Sequence, residues 1–384
     1  MNILVLEPYY TGSHKNWADG IQKHSRHQIT LLTLKGQFWK WRMHGGAVTL
    51  ARKFMDMRVI PDLILATDML DLSTFLALVR ERIAGVPTAV YFHENQLAYP
   101  WSPRDRDIQQ KRDKHYGFIN FTTALSADVA LFNSAYNRDS FLDALPKFLN
   151  HFPDHRETGQ IEKISEKSAV VPLGLDLKAF DAYQQSQNNH SPVILWNHRW
   201  EHDKNPESFF NALYEMKNRG LDFQLVLLGE NFRKEPDEFI QSRKRLKPHL
   251  LHAGFVRDFA EYAAWLWKSD IMPVTSIHDF FGASVCEAAY CGCIPLLPRR
   301  LAYPDIFAAH PDLFYENESE LCCKLAALLT HRQEYSAADS VAAFDWENMS
   351  EYYDTVFDSL AAKRPAHSIR SLLQPLARTR PQQS

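Results

Sequence analysis

His278-Asp279-Phe280-Phe281-Gly282-Ala283-Ser284-Val285-Cys286-Glu287-Ala288-Ala289-Tyr290-Cys291-Gly292-Cys293-Ile294-Pro295 is the stretch that decides how the chain is read. Just before it, the apolar run from Asp270 to Val274 reads as a buried strand. Gly282 supplies a joint where a loop turns into a helix, and Ala283 to Tyr290 are good helix formers. Gly292 ends that helix, and Ile294 begins the next strand. Asp279 precedes the helix and Glu287 lies about one turn inside it, with seven residues between them. A ligand on the helix N-terminus would meet free backbone amides, the positive end of the helix dipole and both carboxylates. Phosphates suit the amides and sugar hydroxyls suit the carboxylates, so the stretch is expected to seat a nucleotide sugar. The spacing alone also fits an ordinary strand-loop-helix with two solvated acids.

Around this stretch lies a chain of 384 residues, long enough for two domains. Apolar residues make up 45% and charged residues 23%, so sizeable cores can form. With a net charge of −3 there is no global basic excess, and a nucleic-acid partner would have to be held by a local patch. No apolar run has the length of a membrane span. The N-terminus reads as a first strand rather than a signal peptide. A cytoplasmic protein without a membrane partner is expected. Cys286, Cys291, Cys293, Cys322 and Cys323 lack metal-site spacing and are expected to be small buried hydrophobes.

Upstream, β-rich runs alternate with helical stretches: strands near 2–7, 28–34, 63–66, 88–92, 127–132 and 169–171, and helices near 16–24, 47–56, 70–84, 107–118 and 135–148. Such alternation predicts a doubly wound parallel sheet that binds ligands at the carboxyl ends of its strands. The polar stretch 182–191 has linker composition, and a second α/β unit begins at Val193. Its first helix has Asn205 as cap and Pro206 at the first helical position.

The candidate site residues fall at the predicted strand ends. Gly12 and Ser13 follow the first strand and would let backbone approach a phosphate or sugar; Lys15 lies beside them. They do not form the GxGxxG dinucleotide fingerprint. His93, Glu94 and Asn95 follow an apolar strand as a polar cluster. After the first strand of the second unit, Arg199 and Lys204 can reach a diphosphate from two sides and stabilise the charge that builds on it as it leaves. As loop charges, both are expected to be replaceable with little loss of stability. His198 and His202 lack a third ligand nearby, so no metal is expected. Gly229 ends another strand. The segment 37–44 interleaves Trp39, Trp41 and Arg42 with further aromatic and basic residues, and the segment 104–115 is basic beside Trp101. Rings and cations together suit unpaired RNA bases, or else a half-buried aromatic loop.

The Asp279–Glu287 pattern, with Phe281 and Gly282 between, resembles the acid-x7-Glu motif of retaining family-4-type glycosyltransferases of the GT-B fold; the usual first acid there is Glu. Gly12-Ser13-His14-Lys15, Tyr91 to Gln96, Pro153-Asp154-His155-Arg156, His198 to Lys204 and Tyr290-Cys291-Gly292-Cys293 together resemble one subfamily, the glycosyltransferase-like domain-containing protein 1 family of tRNA-queuosine α-mannosyltransferases. The resemblance runs from Met1 to about Leu360. It implies two Rossmann-like domains facing a cleft. Residues 1–184 would be the acceptor-side domain and 192–344 the donor-binding domain. Residues 345–362 would be a helix crossing back to the first domain, and 363–384 are read as a disordered basic tail. It further implies front-face transfer of mannose from GDP-mannose to the cyclopentenediol of queuosine in tRNA-Asp, without a metal or other cofactor. His93 and Asp279 would contact the hexose, Arg199, Lys204 and the Gly282 amides the diphosphate, and Glu287 the ribose, with the base near Gly229. A different acceptor (small sugar, lipid or other modified nucleoside) and a non-catalytic RNA-binding protein on the same scaffold remain open from sequence.

Overall fold

A computed structural model describes residues 1–101, 107, 114–184, 189–229, 236–331 and 335–364. The tail beyond 364 and most of the basic segment 104–115 lie outside these residues.

The apolar runs form two six-stranded sheets whose pairings are all parallel. In the first, β1 (Asn2–Tyr10), β2 (Gln28–Lys35), β3 (Leu63–Thr67), β4 (Thr88–Phe92), β5 (Val129–Phe132) and β6 (Ser168–Val170) lie in the order β2-β1-β3-β4-β5-β6. In the second, β7 (Val193–Asn197), β8 (Gln224–Leu228), β9 (Leu250–Gly254), β10 (Ile271–Pro273), β11 (Ile294–Pro298) and β12 (Phe314–Tyr315) lie in the order β12-β11-β10-β7-β8-β9. β3, β4, β5 and β7 are buried along their whole length, which is why they read as continuous apolar runs rather than alternating ones. The doubly wound α/β class expected from sequence is what the chain adopts.

Each sheet reverses its winding once. The chain runs from β1 outward to β2 and returns to place β3 on the other side of β1; likewise it runs β7-β8-β9 and returns to place β10 beside β7. At such a switch point the flanking loops diverge and leave a crevice at the carboxyl ends of the strands.

The compact units are Met1–Leu175 with the stretch from Trp346, and Asp176–Asp345. The short 3-10 segment Leu177–Tyr183 therefore packs in the second unit rather than the first, because Phe180 sits against Phe259 and Tyr262. The final helix Trp346–Ala361 packs in the first unit. Tyr353 Oη accepts from Trp17 Nε1 at 2.8 Å and lies 3.1 Å from Tyr91 Oη. The Trp346 ring occupies the space that a side chain at Gly20 or Gly174 would need.

Two elements depart from expectation, and the first is the helix expected near 107–118, which is found at Lys114–Ser126. The segment 37–44 is not a loop: a helix runs from Trp39 to Met55, straight through Gly45 and Gly46. Packing requires that pair. A Cβ on Gly45 would come within 2.6 Å of the Trp41 ring, and one on Gly46 within 3.2 Å of Pro8. The cysteines divide: Cys286, Cys291 and Cys293 are buried as expected, whereas Cys322 is half-buried and Cys323 exposed.

Candidate functional site

At the switch point of the second sheet, the loop after β7 meets the loop after β10. Lys204 is buried there, and its ammonium donates to the His278 carbonyl at 2.7 Å. Asp203 and Asp279 hold the same ammonium at 3.3 and 3.5 Å. Thr275 Oγ1 ties the loops together by donating to the Lys204 and Asn205 carbonyls. Burial works to raise the Asp279 pKa, but Lys204 and a 3.1 Å hydrogen bond from Tyr303 hold this carboxyl ionised, below its ordinary value. Burial and the adjacent ammonium push both His198 and His278 down to about 4, so both rings are neutral at physiological pH. His198 Nε2 is buried without a hydrogen-bond partner.

Gly282 then starts the Ala283–Tyr290 helix from a left-handed conformation, φ 86°, with Tyr303 so close that a Cβ would lie 2.8 Å from its ring. The fold therefore demands glycine where the sequence suggested a joint. Glu287 is inside this helix and takes a 2.6 Å hydrogen bond from Tyr262; Asn197 donates to Tyr262 Oη at 2.8 Å. Burial raises the Glu287 pKa to about 7, against the pull of Tyr262. Tyr262 and Asn197 carry no motif, and sequence reasoning missed them. Gly229, φ 121°, passes so near the loop after β7 that a Cβ would be 2.0 Å from the His198 carbonyl oxygen. Phe281 is buried against Phe344, which makes its ring a packing residue behind the loop.

At the switch point of the first sheet the cluster is different. Glu7 lies in the buried part of β1, His14 sits in the first turn of the Gly12–His24 helix, Asp68 follows β3 and His93 follows β4; all four are buried. His14 Nδ1 lies 3.0 Å from Glu7 Oε2, and Glu7 Oε1 accepts from the Tyr9 amide. Burial opposes charge on His14, but Glu7 overrides it, and the pKa rises to about 9. The His14 and His93 rings lie 4.1 Å apart, and Trp17 and Tyr91 close around His93. Burial and the charge on His14 push His93 well below its ordinary value. It is a neutral imidazole whose Nε2 is buried without a hydrogen-bond partner. The His93 amide donates to Asp68 Oδ1 at 2.8 Å. Glu7, His14 and His93 bring three ligand-type atoms within 4.8 Å of one another, a set that can hold a cation. Two of its members, His14 Nδ1 and Glu7 Oε2, already engage each other at 3.0 Å. A cavity of about 960 Å³ lined by Thr88 and Asp128 opens at the opposite edge of this sheet, where no such cluster gathers among the described residues.

The remaining sequence candidates separate clearly. Gly12 and Ser13 are exposed at the start of their helix, and Lys15 is ion-paired to Asp19. Glu94 is half-buried and accepts from Gln96. Asn95 is fully buried and its amide donates to Asn137 and Ser140, so it braces the loop. Trp39 is half-buried against Trp101 and Tyr116. Trp41 is exposed, and Arg42 donates to the Lys35 carbonyl. Arg199 is half-exposed and paired with Glu201 at 3.3 Å. Lys204 is not a loop charge: with both carboxylates beside it, it is part of the buried structure.

Residues 2–175 match the family described as tRNA-queuosine alpha-mannosyltransferase N-terminal, and residues 179–337 match glycosyl transferases group 1. A Drosophila melanogaster tRNA-queuosine alpha-mannosyltransferase is 33% identical over 315 residues, covering 80% of this chain and 81% of that protein. Among solved structures, Anabaena Alr3699/HepE in complex with UDP aligns with a TM-score of 0.64 at 15% identity, covering 94% of this chain and 100% of that one. The sucrose-phosphate synthase of Thermosynechococcus elongatus aligns with a TM-score of 0.67 at 13% identity, covering 94% and 99%. These likenesses establish the GT-B fold.

Two outcomes follow for stability. Lys204→Ala strands Asp203 and Asp279 and is expected to cost about 3–5 kcal/mol in urea unfolding, whereas Arg199→Ala should change stability by less than about 1 kcal/mol. His14 carries a raised pKa, so its pairing with Glu7 stabilises fully below pH 6.5, its unfolded value, and the benefit is lost as pH rises through about 9. Urea midpoints should therefore fall between pH 7 and about 9 in the wild type, and Glu7→Gln should flatten that decline.

Proposed function

The chain belongs to the tRNA-queuosine alpha-mannosyltransferase family and is a glycosyltransferase, and on that premise we propose that it moves mannose from GDP-mannose to the cyclopentenediol of queuosine in the anticodon of tRNA-Asp. The observation that carries this reading is positional. Asp279, Lys204, Arg199 and Glu287 in one unit, and His93 in the other, come from distant segments, yet all lie around the switch points of their own sheets. Those are the places where α/β sheets take ligands.

In the proposed reaction the bond between the anomeric carbon and the diphosphate oxygen breaks, a bond to the acceptor hydroxyl oxygen forms, and the hydroxyl proton passes to the leaving diphosphate. Arg199 meets the charge that develops on that diphosphate, together with the first amides of the Ala283–Tyr290 helix. Lys204 contributes its charge from behind, since its protons are already directed at His278, Asp203 and Asp279. Asp279, ionised and fixed by Tyr303, accepts from hexose hydroxyls. His93, neutral, offers one buried nitrogen to a sugar hydroxyl. Glu287 accepts from the ribose hydroxyls. With cations supplied by side chains, the donor site is proposed to need no metal or other cofactor. With a tRNA acceptor and a nucleotide-sugar donor, the protein is proposed to act in the cytoplasm; among the described residues no helix is long and apolar enough to cross a membrane.

The direct test incubates the protein with queuosine-containing tRNA and either GDP-mannose or UDP-sugars, digests the RNA and weighs the nucleosides. A hexose added to queuosine with GDP-mannose alone is expected; no added mass with any donor would overturn the acceptor assignment. A pH series tests the ribose contact. An ionised Glu287 accepts two hydroxyls, so GDP-mannose affinity, measured calorimetrically, should weaken as pH falls through about 7. In Glu287→Gln the affinity should be lower and lack that dependence.

A further inference from the structure

The Trp39–Met55 helix begins at the same edge of the first sheet as Glu7, Asp68 and His93, because β2 delivers the chain to that edge. The entry is strained. Phe38 holds φ 54°, a left-handed conformation that a bulky residue avoids, and its backbone carbonyl accepts from the Trp41 and Arg42 amides. What the strain achieves is exposure: 73% of Phe38 faces solvent. Trp41 is 63% exposed, propped by the bare Cα of Gly45. Neither ring has an aromatic partner among the described residues, whereas Trp39, between them in sequence, turns inward to Trp101 and Tyr116.

The segment that carries these rings has charge of one sign, with Asp107 reaching in from outside it to pair with Lys40. No acid occurs between Asp19 and Asp56, a run that carries seven Lys and Arg in a chain of net charge −3. Lys35, Arg42, Arg52 and Lys53 have no carboxylate partner among the described residues. Arg42 is held beside the rings by its hydrogen bond to the Lys35 carbonyl. The outer face of the helix continues the surface through Trp41, His44, Val48 and Arg52, all exposed.

We infer that Phe38 and Trp41 form a stacking platform, flanked by Lys35 and Arg42, for unpaired bases of an RNA loop presented to the His93 edge. The inference rests on the proposed tRNA acceptor and names the surface that would hold it. Aromatic faces accept any base, and the flanking cations follow the phosphate backbone, so the surface suits single-stranded RNA and not a paired duplex. A bulky left-handed residue with no packing role is destabilising by itself, which is consistent with a contact made only by the complex.

The experiment measures binding of a fluorescein-labelled, unmodified tRNA-Asp anticodon stem-loop to the full chain by anisotropy. Phe38→Ala and Trp41→Ala should each weaken binding roughly tenfold. Arg42→Ala should reduce the salt slope by about one. The melting shift induced by GDP-mannose should persist in every variant, which controls for folding. Unchanged RNA affinity in the Phe38→Ala/Trp41→Ala double variant would overturn the platform, as would a change of oligomeric state without a change in RNA affinity. Wild-type protein that binds the stem-loop through these rings but adds no hexose to queuosine tRNA would overturn the proposed acceptor and leave the platform standing. Wild-type protein that modifies queuosine tRNA while the double variant binds it equally well would do the reverse.

Discussion

A parallel sheet covered on both faces has only its strand ends to offer a ligand, and this constraint governs both units of the chain. β1, β3 and β4 are apolar until their carboxyl ends, where Glu7, Asp68 and His93 appear. β7 and β10 do the same with Asn197 and Thr275. The chemistry is therefore a property of where strands stop. A mutation that shifted a strand's register by one residue would exchange side chains between the two buried faces and move these groups together.

The two clusters solve the problem of buried charge in opposite ways. In the second unit one ammonium, on Lys204, neutralises two carboxylates and suppresses protonation of two neighbouring histidines. Asp279 is thereby kept ionised beside neutral imidazoles, an arrangement that accepts hydrogen bonds from hydroxyls. In the first unit the charge is placed on His14, clamped by Glu7, and the neighbouring His93 is forced neutral. Buried ion pairs of this kind add little net stability, because desolvation offsets most of the Coulomb gain. Their effect is to fix which side chains are charged and where.

The strand pattern was legible because strands buried on both faces read as unbroken apolar runs, and Thr88–Phe92 is found with the bounds expected. The strand-loop-helix at 270–297 was legible because Gly282 and Gly292 both take positive φ. Four things were hidden. Lys204 reads as a loop charge, since nothing in a linear sequence says that the β10 loop will fold over it. Trp39 and Trp41 look equivalent in an alternating aromatic run; on a helix they face different ways, and only Trp41 is left in solvent. Phe38 draws attention only through its backbone angle, which sequence does not display. Tyr262 and Asn197, the partners that orient Glu287, come from a helix and a strand remote from it in the chain.

The central claim is that the nucleotide sugar sits at the switch point of the second sheet, between the loops that follow β7 and β10. Amide hydrogen exchange with and without GDP-mannose, read by mass spectrometry, tests it most directly. The account predicts that added donor slows exchange in peptides covering 198–205 and 276–287, while the helix Pro206–Asn218 and the strand Ile294–Pro298 are unaffected. Protection confined to other segments, in protein shown to bind the donor, would contradict it.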